Sequence, residues 1–184
     1  MLNIEIRRPR IEDTNELNQF FEKVIIDTFT KEGIGEKFEE IEAEIESKKN
    51  YLVSDFASNG ANRYFLIALH SDKIVGSIEY GPASDLICKC TKNAFKGLHE
   101  VGTVFVLPEY QRMGIGSSLL KSMYSTLQNN GIEEFCLDSG YVQAQQIWKK
   151  KFGEPDYLLK DYWGKGLDHM IWKIKISDLT QGIN

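Results

Sequence analysis

The sequence predicts a mixed α/β fold, and three observations carry the prediction. An apolar, β-branched run at 101–106 is followed by glycines and then by an amphipathic run (Leu119, Leu120, Met123, Tyr124, Leu127), which reads as strand, turn, helix. A further strand-like run at 132–137 follows the helix stop at Gly131 and completes a β-α-β unit in mid-chain. Hairpins are expected near both ends, around Ser71-Asp72-Lys73 and Gly164-Lys165-Gly166.

The elements follow in order. Residues 3–8 set Ile4 and Ile6 against Glu5 and Arg7 and read as a first strand. Asp13 with Glu16 has the spacing of a capping box, ahead of Leu17, Phe20, Phe21, Val24 and Ile25 at helical spacing. A second helix is expected over 36–49, with Phe38, Ile41 and Ile45 on one face and a solvated row of glutamates (Glu39, Glu40, Glu42, Glu44, Glu46) opposite. Strands over 64–69 and 74–80 flank the first hairpin turn. Residues 81–98 show no regular pattern and receive no element. Strand 101–106, helix 114–130, strand 132–137 and helix 142–151 come next, and 157–163 pairs with 170–176 in the closing hairpin. No repeat, linker or composition break appears, so residues 1–184 are expected to form a single domain.

Composition narrows the function. The chain has 184 residues, 42% hydrophobic and 27% charged, ordinary for a globular protein with one core. A net charge of −5 argues against nucleic acid, whose binders carry a basic surplus, and weakly favours cationic partners such as amines. No apolar stretch approaches the roughly 18 residues of a membrane span. The first ten residues lack the apolar core of a signal peptide. A cytoplasmic location is expected, with Cys88, Cys90 and Cys136 as reduced thiols. No second Cys or His pair with ligand spacing accompanies Cys88 and Cys90, so no metal site is expected.

The segment from Gln111 to Gly116 is the most informative. A helix start presents backbone N–H groups and the positive end of the helix dipole, and glycine there lets a bulky anion approach the main chain. Three phosphate-binding readings compete. A P-loop needs a lysine and then Ser/Thr after its second glycine, but Ser117 follows Gly116 directly. A dinucleotide fingerprint needs Gly-x-Gly-x-x-Gly straight after a strand. Here the third glycine is Leu119 and seven residues (107–113) intervene, although Asp138 at the end of the next strand would suit a ribose. The third reading fits lead-in, loop and helix together. The run Val104-Phe105-Val106-Leu107-Pro108 through Gln111-Arg112-Met113-Gly114-Ile115-Gly116 resembles the coenzyme-A-binding motif of the GNAT superfamily of acetyltransferases, Gln/Arg-x-x-Gly-x-Gly/Ala.

The resemblance extends over most of the chain. Ile6-Arg7-Arg8-Pro9 with Glu12-Asp13 looks like that family's first strand and helix entry, residues 73–78 like its second hairpin, and 144–153 like the helix after strand five. It implies a GNAT-like mixed central sheet flanked by helices. It also implies an N-acetyltransferase moving acetyl from acetyl-CoA, as co-substrate, to a primary amine of a small-molecule or peptide acceptor. By the same resemblance, main-chain groups of Val104, Phe105 and Val106 hold the pantetheine arm. Amides of Gln111, Arg112, Met113, Gly114, Ile115 and Gly116, with Ser117, hold the pyrophosphate, and Arg112 adds a charge-assisted contact.

Attack on a thioester needs a neutral amine. At a reference pKa of about 10.4, roughly one amine in 2,500 is neutral at pH 7, and removing the proton costs about 4.6 kcal/mol. A general base is therefore valuable. Many family members place it as a glutamate near the start of the strand before the loop, here Glu100. Strand alternation would put it on one face with Gly102, Val104 and Val106, and His99 on the other. Members often carry Asn-x-x-Ala-x-x-x-Tyr on the helix after strand five, the tyrosine protonating the thiolate. Aligned on Ala144, this chain has Tyr141 at the asparagine position and Trp148 at the tyrosine position. Indole has no useful acidity, so either Tyr141 serves or the thiolate leaves unassisted, while Trp148 packs against the cofactor arm or the core. A coenzyme-A-binding module without catalysis, used for sensing or interaction, is the alternative this departure raises.

His70 and His169 are expected at the surface. The family's acceptor pockets commonly involve the first two helices and the last hairpin. There Asp161, Asp168, Tyr162, Trp163 and the glutamates of 36–46 either line a cation pocket or are solvated. The strand near the C-terminus offers an edge for pairing with a second copy as a homodimer.

Overall fold

The structure, a computed structural model, describes residues 2–180. Its elements run β1 (Glu5–Arg7), α1 (Thr14–Lys31), α2 (Phe38–Ser58), β2 (Tyr64–His70), β3 (Lys73–Pro82), α3 (Asp85–Cys90), β4 (His99–Val106), α4 (Ile115–Asn129), β5 (Glu134–Ser139), α5 (Val142–Phe152), β6 (Tyr157–Leu159), β7 (His169–Lys175) and α6 (Ile176–Thr180), with 3-10 turns at Ile11–Asp13 and Pro108–Tyr110. The strands form a mixed seven-stranded sheet in the order β1-β2-β3-β4-β5-β7-β6. The β4–β5 pair is parallel, which requires a crossover, and α4 supplies it. The chain forms two compact units. One comprises the residues through Tyr80 together with Thr103–Thr126, the other Gly81–Gly102 together with the residues from Leu127 on.

In the first unit, α1 buries Leu17, Phe20, Phe21, Val24 and Ile25, as its spacing predicts. Phe21 sets its ring against Phe65 of β2 and Phe105 of β4, at 6.1 and 6.4 Å between centroids. The expected capping box at its start does not form. The Asp13 carboxylate instead accepts from the Arg7 guanidinium at 2.7 Å and the Arg10 amide at 2.7 Å, and Glu16 accepts from the Ile74 amide at 2.7 Å. A tertiary arginine thus outcompetes the local cap.

Helix α2 begins two residues later and runs nine residues further than periodicity predicted, to Ser58. Beyond the polar Lys48-Lys49-Asn50, Leu52 and Asp55 continue its buried face, and Asn59, left-handed at φ 49°, ends it. Phe38, expected on that face, opens the helix 71% exposed. Asp55 is fully buried because Arg8 binds both its oxygens and the Phe65 amide donates to it. The predicted first hairpin has a two-residue turn, Ser71 and Asp72, both at positive φ, the geometry that follows strand twist.

In the second unit, residues 81–98, left without an element from sequence, contain α3. Ser84 caps it by accepting from the Ile87 amide at 3.3 Å. One amphipathic turn is too short to show a period, which is why the pattern was invisible. Its Ile87, with Phe95, packs on Cys136 and Ile171 of β5 and β7. Phe135 alternates to the other face and meets Phe152 of α5 at 6.5 Å. The closing hairpin is shorter than expected. β6 stops at Leu159, and residues 160–168 form a long turn that includes Trp163. His169, expected at the surface, is 2% exposed at the start of β7.

Candidate active site

The strand-to-helix connection expected to hold a phosphate lies wholly in the first unit. β4 ends where the Leu107 amide donates to the Val75 carbonyl at 3.0 Å, and Pro108 opens a 3-10 turn. The Gln111 carboxamide folds back, donating from Nε2 to the Val106 carbonyl at 3.1 Å and accepting from Lys31 at 3.4 Å. Arg112 (φ 64°) and Gly114 (φ 85°) are both left-handed, and α4 starts at Ile115. Such local reversals followed by a helix start turn successive amides toward one concavity. The amides of Ile115 and Gly116 open α4, ahead of the bond from the Ser118 amide to the Gly114 carbonyl at 3.0 Å. A Cβ built on Gly114 meets no atom within 4 Å, so its outer side is open. Gln111, Arg112, Met113 and Ser117 are exposed, while Val104, Phe105 and Val106 are half-buried.

Glu109 anchors the lead-in. Its carboxylate accepts from Lys23 of α1 at 2.8 Å and lies 3.4 Å from Lys73 of β3. The Lys23 hydrogen bond, then its own backbone N–H and Lys73, pull its pKa down to about 2. A carboxyl group depressed in the folded state stabilises above its unfolded pKa, about 4.3, and that contribution is lost as pH falls toward 2. The side chain is 43% exposed, so salt screens the effect. A carbon-detected NMR titration is expected to place the Glu109 midpoint near 2 in low salt and higher in 1 M NaCl. A low-salt midpoint of about 4.3 would show that the lysines do not hold it.

Thr103, at the centre of β4, is left-handed at φ 49°, a conformation that costs a β-branched residue on the order of 1–3 kcal/mol. Val101 and Thr103 are buried while Glu100, Gly102 and Val104 are half-buried, an alternation that runs through Thr103. Sequence reasoning missed the residues around it. The Thr103 hydroxyl donates to Glu79 Oε1 at 3.2 Å, and Ser77 Oγ donates to the Thr103 carbonyl at 2.9 Å. Arg63 donates to Glu79 Oε2 at 2.7 Å and stacks over Tyr51 at 3.6 Å. Burial pushes the Glu79 carboxyl above the usual carboxylate range, against the pull of Arg63 and Lys48. Burial lowers Lys48, but Glu44 and Glu79 more than offset it and its pKa ends raised. The available signal was a charge at position 79 in the interior of a strand whose other charged residue, Lys73, stands at its start.

Glu100, Tyr141 and Trp148 lie in the second unit. The half-buried Glu100 accepts from the Ser84 amide at 2.7 Å, which ties one of its oxygens to the cap of α3. Burial lowers the pKa of the neighbouring His99. Burial, then the charges of Glu100 and Asp138, push the Cys136 thiol up, and it donates to the His99 carbonyl. Tyr141 is the N-cap of α5, its amide donating to Ser139 Oγ at 3.1 Å and its carbonyl accepting from the Gln145 amide at 2.9 Å. Trp148, expected against the cofactor arm or the core, is 8% exposed and stacks on Phe152 at 5.8 Å.

The loop before β7 carries Asp161, Tyr162, Trp163 and Asp168. Asp161 accepts from the Gly166 amide at 2.5 Å, and Asp168 accepts from the Asp161 amide at 2.9 Å. These carboxylates staple the loop. Trp163, a donor only, gives its N–H to His169 Nδ1 at 3.2 Å, so His169 Nε2 carries the proton shared with Asp138 at 3.0 Å. Among the described residues no three or more His, Cys, Asp or Glu could hold a metal ion, and no helix is long and apolar enough to cross a membrane.

The profile of the acetyltransferase (GNAT) family matches residues 25–153. No curated protein sequence matches the chain. Several solved structures share the fold. The PaiA N-acetyltransferase of Thermoplasma acidophilum, in complex with coenzyme A, superposes with a TM-score of 0.68 at 22% identity, covering 95% of this chain and 99% of its own. A GNAT family acetyltransferase of Brucella melitensis in complex with acetyl-CoA gives 0.56 at 20% identity, covering 80% and 82%. The ribosomal-protein-S18-alanine N-acetyltransferase of Escherichia coli gives 0.60 at 17% identity, covering 95% and 94%.

Proposed function

Because the chain belongs to the acetyltransferase (GNAT) family, we propose that it moves an acetyl group from acetyl-CoA to a primary amine, which attacks the thioester directly. The observation that carries this reading is the paired left-handed turn at Arg112 and Gly114, opening onto the first turn of α4. A diphosphate needs several N–H donors and room for its oxygens; the start of α4 supports the first demand and the open space beyond Gly114 the second. In this reading the loop 111–117 holds the diphosphate through its amides past Gln111, whose own amide donates to the Pro108 carbonyl at 3.3 Å, and Arg112 adds charge. The main chain of Val104, Phe105 and Val106 holds the pantetheine arm. Acetyl-CoA supplies an activated acyl group, and the protein's task is to orient it and to bring the amine in neutral form.

Glu100 is the proposed general base. Ser84 engages one of its oxygens and thereby fixes the carboxylate's orientation. Tyr141, with its backbone pinned on both sides, is the proposed donor to the departing thiolate. A thiol with a pKa of about 8.5 leaves readily, so this donor matters less than the base. Isothermal calorimetry with acetyl-CoA tests the reading, and no binding at millimolar ligand would remove its basis. Thiol release with a panel of small-molecule and peptide amines then separates a transferase from a module that only binds the carrier. Turnover is expected with at least one amine, and Glu100→Gln is expected to lower kcat about 100-fold or more at neutral pH.

A further inference from the structure

The polar chain Arg63–Glu79–Thr103–Ser77 is buried at every member, with Glu79 only 1% exposed. Ion pairs placed this deep are poor sources of net stability, because desolvation consumes most of the attraction. They do fix geometry. Here every contact converges on Thr103, the residue least suited to its own backbone conformation.

The Ser77 hydroxyl holds the Thr103 carbonyl, and so sets the plane of the peptide joining Thr103 to Val104. A trans peptide points its C=O and N–H in opposite directions. No cis bond occurs among the described residues, so the Val104 N–H is aimed away from Ser77. On its other side, Thr103 is held through its own hydroxyl by a carboxylate that cannot swing, since Arg63 grips its second oxygen and Tyr51 backs the guanidinium.

We infer that Ser77 and Glu79 are positioning residues for the acyl carrier, holding Thr103 left-handed so that the Val104 N–H faces the pantetheine arm. The inference rests on the proposed carrier-binding role of that strand. Glycine at 103 would reach the same φ without strain but would also leave it freely, and the clamp makes the strained state the single state.

Calorimetry with acetyl-CoA at a temperature where circular dichroism shows each protein folded tests this. The wild type is measured first, and its failure to bind would overturn the carrier-binding reading itself. With wild-type binding established, Thr103→Val keeps size and branching but deletes the hydroxyl donor, and is expected to weaken affinity at least tenfold. Thr103→Ser restores the donor and is expected to bind within threefold of wild type. Should Thr103→Val fail to fold, Ser77→Ala decides the matter through loss of a single hydroxyl, with an expected loss of about tenfold. Wild-type affinity in folded Thr103→Val or in Ser77→Ala would overturn the inference.

Discussion

Gly114→Glu is expected to abolish measurable binding of acetyl-CoA while the protein still folds. Two effects add. The residue sits at φ 85°, where a side chain costs about 1–3 kcal/mol of strain. The space beyond its Cβ is open, so nothing in the core is displaced. The new carboxylate then stands where the diphosphate would lie. At about 4 Å and an effective dielectric of about 20, one like-charge contact costs about 4 kcal/mol, roughly a thousandfold in affinity. Gly131→Glu is the matched control, because Gly131 is also left-handed (φ 72°), also open, and follows the far end of α4. Both variants are expected to lose similar stability in thermal melts, and only Gly114→Glu to lose the ligand. Equal affinities would show that residues 111–117 do not hold the carrier.

Gly76→Val is expected to destabilise the protein by about 3 kcal/mol or more and to weaken carrier binding at the same time. A Cβ at Gly76 would lie 2.9 Å from Leu119 Cδ1, 3.0 Å from Ile115 Cγ2 and 3.3 Å from the Phe105 carbonyl. Leu119 and Ile115 are buried on the first turns of α4, and the Phe105 carbonyl belongs to β4. Side-chain shifts alone cannot clear all three contacts, so the helix start must lift from the sheet. That start bears the amides proposed for the diphosphate. Denaturant melts and calorimetry are expected to show both losses. Unchanged stability would mean that α4 yields there at no cost.

Features set by neighbours in sequence were legible before any coordinates. The β-α-β unit, the hairpin at Ser71-Asp72 and the glycine turn into α4 all follow from local periodicity and turn chemistry, and the family profile agrees with the motif. Features requiring a distant partner were not. Asp13 looked like a cap because Arg7 was not known to reach it. His169 looked like a surface residue because its partners, Asp138 and Trp163, come from other segments. Asp161 and Asp168 read as lining a cation pocket or as solvated, and their bonds to loop amides showed in neither reading.

Local chemistry was therefore enough to read the architecture and the glycine turn into α4, since a helix start and a glycine carry their properties with them. The state of Thr103 was beyond its reach. Nothing in Gly102-Thr103-Val104 demands a left-handed residue, and the backbone cost argues against one. That state exists because β3 lies beside β4 in the folded first unit and brings Ser77 and Glu79 to the two polar groups of one threonine, a favourable arrangement only once water has been excluded from them.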